Sequence, residues 1–433
     1  MKRITSILMI VLLAAAANAS DEIPGAKQNR PIALVGGTIH PVKGRPIVAG
    51  ILIFDKGKIT LVSKHVPVPK GTLAIACQGK HIYPGLFDAY SDMGLVEINA
   101  VRATNDMQEV GSVNPNVRAI MSVNPDSEII PVTRANGVLL ALTAPTGSLL
   151  AGRSTVIKLD GWTYEDMTLQ EGVGMHITWP AMSPVSSWSK SQSNAKQIEA
   201  RDRALKNLHA IIKKVSDYRR ARAANPKRHG KDIRWEAMLP VLAGKMPLIA
   251  SANEIQQIQS AVAFARKYSL RLIIYGGYDA PHCAALLKSY KVPVIVGGTY
   301  RLPRRRFDDY DAAYTLPHRL HEKKIAFCIS GAGRFGASNV RNLPYHAATA
   351  VAYGLSPEQA LRSITLSPAE ILGVAKRVGS LEVGKDATLI ITNGDPLETA
   401  TNVETAFIQG RRVDLNSKHK RLYRKYQTKY RRR

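Results

Sequence analysis

Hydroxyl, phenol, carboxylate and imidazole side chains stand where several apolar runs of this sequence end. Leu86-Phe87, with Asp88 and Ala89 after it, runs into Tyr90 and Asp92, and Leu248-Ile249-Ala250 runs into Ser251 and Asn253. Leu272 to Tyr275 leads on to Asp279, and Ala326 to Ile329 ends at Ser330. His282 and His346 lie in helix-like stretches that follow two of these runs. A carboxylate at such a place can accept a proton or hold a hard cation. A serine attacks only beside a base. A tyrosine, with an ordinary pKa near ~10, is a poor metal ligand while protonated. Arg341 can bind a carboxylate in a paired fashion or sit in a structural ion pair. For each of these residues a hydrogen-bonded pocket or core role is the plainer reading.

Three further patterns carry less. Gly147-Ser148-Leu149-Leu150-Ala151-Gly152-Arg153-Ser154 has the outline of a phosphate loop with Arg for Lys. Such a loop needs a helix directly after it, so that amides and dipole meet the phosphate. Thr155 to Leu159 reads as a strand, which argues against nucleotide binding. His318 and His321 are one helical turn apart, but Arg319, Glu322, Lys323 and Lys324 around them mark a solvated face.

The elements that must position these residues come in two textures. Residues 31–76 carry short β-branched runs (Ile32 to Val35, Ile51 to Phe54, Ile59 to Val62) punctuated by glycines, expected to form a small antiparallel sheet. The same texture returns at Thr388 to Ile391 and in a hairpin over Ala406 to Val413. Between them, near-continuous apolar strands at Val138–Leu142, 248–250, 272–275, 292–296 and 326–329 alternate with helical stretches near 254–268, 281–290, 309–323, 345–354 and 356–363. That pattern predicts a parallel α/β sheet, as a barrel or doubly wound. Leu205, Leu208, Ile212 and Val215 make a helical stripe inside a basic insert, 186–235, with a polar linker after the helix.

The chain has 433 residues, 45% hydrophobic and 21% charged, which excludes a wholly disordered protein. Sixty Lys and Arg against 33 Asp and Glu leave a formal charge of +27. Residues 417–433 hold nine of those bases and no acid, and are expected to be a mobile tail for an anionic partner, either a polyanion or an envelope surface, or a solubilising extension. Three scattered cysteines suit neither a disulfide framework nor a zinc knuckle. Lys2-Arg3, an apolar run and Ala17-Asn18-Ala19 have the form of a cleaved signal peptide over residues 1–19, with no later membrane span. The expected location is therefore periplasmic or extracellular, and an oligomer is compatible with all of this.

Three stretches carry a family resemblance. Ile82-Tyr83-Pro84-Gly85-Leu86-Phe87-Asp88 resembles the first barrel strand of the amidohydrolase superfamily, where P-G, two hydrophobic residues and D-x-H-x-H follow one another. Ile371-Leu372-Gly373-Val374 through Gly379-Ser380-Leu381-Glu382-Val383-Gly384-Lys385-Asp386-Ala387 resembles that family's return to its C-terminal sheet, and Gly36-Gly37-Thr38-Ile39 its opening strand. The imidazolonepropionase-like and dihydroorotase-like branch is the nearest in pattern. The resemblance implies an α/β fold: a TIM-type (β/α)8 barrel over 81–375, with a small β-sandwich made by 20–80 and 376–416. It implies hydrolysis of non-peptide C–N bonds at the C-terminal mouth of the barrel, by water on one or two divalent metals such as zinc.

Set against that pattern, the ligand positions differ. Tyr90 and Asp92 stand where the resemblance implies two histidines. Ser251 and Gly276 stand where it implies two more, and Gly331 stands in place of the base Asp. Lys158 is a weak candidate for the bridging lysine. No metal ligand set can be assigned, and a divalent metal enters only if a site is rebuilt from other groups. Two readings stay open. In one, Asp92, Tyr90 and Ser251 carry a rebuilt catalysis, with Asn253, Asp279, His282, Ser330, Arg341 and His346 around a small-molecule substrate. In the other, the barrel is inactive and binds a small molecule at its mouth.

Overall fold

In the computed structural model, residues 22–64, 66–185, 192–331 and 336–432 are described. The signal-like segment therefore lies outside the described residues, as do residues 186–191 of the basic insert. The N-terminal strands are β1 (Ile32–Ile39), β2 (Ile47–Asp55), β3 (Lys58–Ser63), β4 (Leu73–Ala76) and β5 (His81–Pro84). The barrel strands are β6 (Leu86–Ser91), β7 (Val138–Thr143), β8 (Leu150–Lys158), β9 (Thr168–Thr178), β10 (Leu248–Ala252), β11 (Leu272–Gly276), β12 (Val294–Val296) and β13 (Phe327–Ile329). The chain returns with β14 (Leu389–Thr392), β15 (Val403–Ile408) and β16 (Arg411–Val413).

The terminal strands form one sheet in the order β16-β15-β14-β5-β1-β2-β3, with β4 also beside β1. It is mixed rather than wholly antiparallel, because β4 and β5 both run parallel to β1. The sheet curls on itself: Phe54 of β2 meets Phe407 of β15 edge to face, with ring centroids 5.0 Å apart. Around this contact Leu34, Ile39, Leu52, Ile82 and Leu389 are fully buried.

The second sheet runs β6 through β13 in chain order. It is nearly closed, since Ser330 Oγ donates to the Tyr90 carbonyl at 2.7 Å and Gly331 N donates to Asp88 Oδ1 at 2.6 Å. Seven strands are parallel. The exception is β8, antiparallel to both β7 and β9, so the expected all-parallel sheet is corrected at that strand. A hairpin connection suffices for antiparallel neighbours, and here it replaces a helical crossover.

Alternation along the strands sorts the core into two. Phe87, Leu140, Leu142, Val156, Ile249, Ile273, Ile295 and Cys328 fill the barrel interior. Their neighbours Leu86, Leu139, Ile157, Met175, Leu248, Leu272, Val294 and Phe327 face the surrounding helices. Both faces are buried, which is why these strands read as unbroken apolar runs. Cys77, Cys283 and Cys328 are buried free thiols.

The helices depart from expectation in three places. The stretch near 309–323 is helical only over Leu316–Glu322. The insert carries a 31-residue helix, Asn194–Ala224, which includes Arg219, Arg220 and Arg222 instead of ending before them. Leu208, Ile211, Ile212 and Val215 bury its inner face. The expected mobile tail is a helix, Lys418–Arg431.

Candidate functional site

Strand parity decides which side chains reach the barrel mouth. Ile249 and Ile273 point inward, so Ser251 and Tyr275, two residues further on, point inward one layer higher. The two are register partners across β10 and β11. His176 of β9 pairs with Ile249 and shares the inner side. From β6, Tyr90 enters the same layer. A cavity of about 360 Å³ opens there, bordered by Tyr90, Asp92, Thr146, His176, Ser251 and Tyr275. A larger cleft, about 740 Å³, lies at the opposite end of the barrel, where strands begin at Leu272 and Phe327. Barrel chemistry belongs to the C-terminal ends of strands, so the smaller cavity is the candidate site.

Two phenol rings dominate it. Tyr90 and Tyr275 stack with centroids 3.6 Å apart and planes 9° from parallel. The Ser251 hydroxyl bonds to the Tyr90 phenol. Burial pushes the Tyr90 phenol up to about 12, against the lowering effect of that bond, and raises Tyr275 further. Both therefore stay protonated at neutral pH. The His176 ring tilts against Tyr90 at 5.3 Å. Burial lowers its pKa to about 3, so it is neutral, and its Nε2 has no protein partner.

Two carboxyls lie beside the rings. Asp88, fully buried, is pushed up to about 7 by desolvation, against the bond from Gly331 N. Asp92 is also raised by burial, and its Oδ1 accepts Ala337 N at 2.5 Å.

The other residues singled out from the sequence lie elsewhere. Asn253 is at the β10 terminus, its N–H bonded to Gln257 Oε1 at 3.0 Å and its Oδ1 unpartnered. Asp279 pairs with the Arg305 guanidinium and accepts Ile255 N at 3.2 Å, which pins two loops together. Exposed His282 lies 3.2 Å from Arg319 Nη2. Ser330 closes the barrel. Arg341 bonds the Ser338 carbonyl, while its own carbonyl accepts Asn136 Nδ2 at 2.6 Å. His346 Nδ1 accepts Thr299 N at 3.1 Å, so its proton sits on Nε2, directed to the Gly331 carbonyl. Its pKa falls to about 4, from burial first and then Arg301.

Of the residues named from sequence, Tyr90, Asp92 and Ser251 come together at the cavity. His176 and Tyr275 were missed. The trace of His176 was a lone imidazole inside the apolar run Val173 to Ile177, on a strand the sequence reading did not assign. On β11 the mouth-facing residue is Tyr275 and not Gly276, whose φ of +97° turns the chain and where a Cβ would strike the Asn253 amide. Lys158 bonds Gln409 Oε1 at 2.8 Å, against the terminal sheet and away from the mouth. The phosphate-loop outline runs into β8, with no helix behind it.

The resemblance implies a divalent metal held by imidazoles and carboxylates. The mouth offers one neutral imidazole, His176, two carboxyls, Asp88 and Asp92, each bonded to a backbone N–H, two protonated phenols and a serine, fewer imidazoles than such an ion's usual ligand set. Among the described residues, no three His, Cys, Asp or Glu side chains cluster closely enough to share one.

Residues 312–413 match the model of the Amidohydrolase family. Amidohydrolase tasK of Hapsidospora irregularis is 22% identical over 407 residues, an alignment that takes in 83% of this chain. The chain spans only 39% of the length of that curated relative. An amidohydrolase from Thermotoga maritima MSB8 superposes with a TM-score of 0.78 at 24% identity, covering 88% of this chain and 99% of that one. A prolidase solved with N-methylphosphonate-L-proline superposes at 0.55 with 15% identity, over 89% of this chain and 99% of its own. The family-model match over residues 312–413, the sequence relative and the shared fold all point to the amidohydrolase superfamily.

Proposed function

We propose that this amidohydrolase-family barrel binds a small organic molecule at its mouth without metal-activated hydrolysis. The observation that carries the reading is the Tyr90–Tyr275 stack with Ser251 bonded to it. Phenols and a hydroxyl, with the single imidazole of His176, make up the inward layer where the resemblance implies several histidines. Gly331, where the resemblance implies the base, supplies only backbone groups, its N–H taken by Asp88 and its carbonyl by His346.

A rebuilt catalysis from Ser251 finds less support. A serine nucleophile needs a base within hydrogen-bond reach. The partner of Ser251 is a phenol held at about 12, which accepts no proton at neutral pH. Binding asks less of the same groups. The unpartnered, neutral His176 Nε2 borders the cavity and can bond an uncharged polar group of a ligand. The stacked rings give that ligand an apolar wall. The chemical class that fits is a small neutral amide or cyclic amide, in line with the family's bond type.

The test pairs metal content with ligand screening. Protein purified without chelator is expected to hold less than about a tenth of a divalent ion per chain, where a metal-bearing site holds about one. A panel of amides, cyclic amides and dipeptides is expected to raise the melting temperature of the wild type, and His176→Ala is expected to abolish the shift. About one ion per chain, together with chelator-sensitive turnover of the same panel, overturns the reading.

A further inference from the structure

The helix Lys418–Arg431 starts cleanly: the Ser417 side chain accepts the Lys420 N–H at 3.4 Å. Successive residues turn by about 100° around a helix axis. Leu422, Tyr426, Tyr430 and Tyr423 thereby fall within a sector of roughly 100°. All four are exposed, between 42% and 66%. Lys418, Lys425, Lys429 and Arg432 lie along one border of that sector, and Lys420 and Arg431 lie beyond the other.

The rest of the molecule holds the helix by a different side. Arg421 reaches back to Glu128 at 3.4 Å and to Glu22 at 3.9 Å. Lys420, Tyr423 and Arg424 border a cleft against β15 and β16. Leu422, Tyr426 and Tyr430 are left on the outer side, with Tyr423 at the edge.

A purely solubilising extension has no reason to gather its apolar residues into one outward stripe. A nucleic-acid contact through phosphates needs only the bases. A bilayer surface uses both features. Tyrosine rings settle at headgroup depth, and lysine and arginine stems run along the flanks to lipid phosphates. Among the described residues no helix is long and apolar enough to cross a membrane, so the contact is with the surface.

We propose that the helix Lys418–Arg431 is a docking element that lays its Leu422–Tyr426–Tyr430 face on a bilayer rich in anionic phospholipid. The proposal is independent of what the barrel mouth binds.

The test is co-sedimentation of the full chain with phosphatidylcholine vesicles, with and without phosphatidylglycerol. One variant loses the stripe but keeps every charge (Leu422→Ser, Tyr426→Ser, Tyr430→Ser). A second keeps the stripe and loses flanking charge (Lys425→Gln, Lys429→Gln, Arg432→Gln). The wild type is expected to bind phosphatidylglycerol vesicles at least about tenfold more tightly than neutral ones, and each variant to lose about tenfold or more of that binding. The stripe variant is expected to retain salt-sensitive binding to duplex DNA, as a non-specific polyanion. An unchanged melting temperature shows that both variants stay folded. The proposal fails if the stripe variant binds vesicles as the wild type does, which reduces the effect to charge. It fails equally if the wild type prefers duplex DNA to anionic vesicles, or binds no vesicles.

Discussion

Asp88 is fully buried beside the ring pair, and desolvation raises its carboxyl to about 7. Between about pH 4 and 7 the folded protein keeps a proton that the unfolded chain has released. Its contribution to stability is therefore full in acid and declines as pH rises toward 7. His176 works in the opposite sense. It is neutral when folded down to about pH 3, whereas the unfolded chain takes up its proton near ~6.5, so stability falls as pH drops through that window. Replacing Asp88 by Asn keeps an acceptor for Gly331 and removes the titration. Relative to wild type, the variant is expected to gain up to about 4 kcal/mol between pH 4 and pH 7.5. Urea unfolding at several pH values measures this, and parallel curves for the two proteins would sink the assignment. At this scale the sequence was partly legible. Tyr90, Asp92 and Ser251 could be placed because a motif or a strand end marks each. Tyr275 could not, because one residue of strand register decides whether it or Gly276 faces the mouth, and register is fixed by pairing with β10.

The long helix Asn194–Ala224 shows how an element can be found and still misjudged. Its stripe was readable from Leu208, Ile212 and Val215, but the arginines after it looked like linker. Those arginines continue the same helix past its last buried turn, with Arg219 and Arg220 exposed and Arg222 paired with Glu236 at 3.3 Å. Packing, not composition, sets its length. Ile212, only 3% exposed, is expected to cost about 2–5 kcal/mol when changed to Ala, whereas Arg219→Ala and Arg220→Ala stay within about 0.5 kcal/mol. Equal effects in thermal or urea unfolding would mean that the helix is an appendage and not part of the barrel wall. Strand β8 was legible as a strand over Thr155 to Leu159 but not as an antiparallel one, because an apolar run carries no direction. The crossovers elsewhere are what made parallel pairing readable.

For the whole molecule, Asp160 is the point where barrel and terminal segments are tied. Arg134 lies 3.3 Å from its Oδ1, Arg411 lies 3.4 Å from its Oδ2, and Gly25 N donates to it at 3.2 Å. Arg134 also reaches Glu22 at 2.7 Å and the Asp414 carbonyl at 2.8 Å. Asp160 and Arg134 are both buried, so neutralising Asp160 leaves Arg134 to Glu22 alone and takes the carboxylate away from Arg411. Asp160→Asn is expected to destabilise by about 3–5 kcal/mol, against less than about 1 kcal/mol for Glu171→Gln in the exposed Arg118–Glu171 pair. The two-ended sheet was legible because both ends share one texture, although the parallel entries of β4 and β5 were not. That sheet has a consequence for synthesis. β5 pairs with β14, joining Pro84 to Leu389, so the ribosome must add about three hundred residues after β5 before the partner strand exists. Until then β5 is an open apolar edge on a nascent polypeptide, inviting pairing with neighbouring chains. Truncations that stop short of residue 389 should therefore aggregate even when every barrel strand is present.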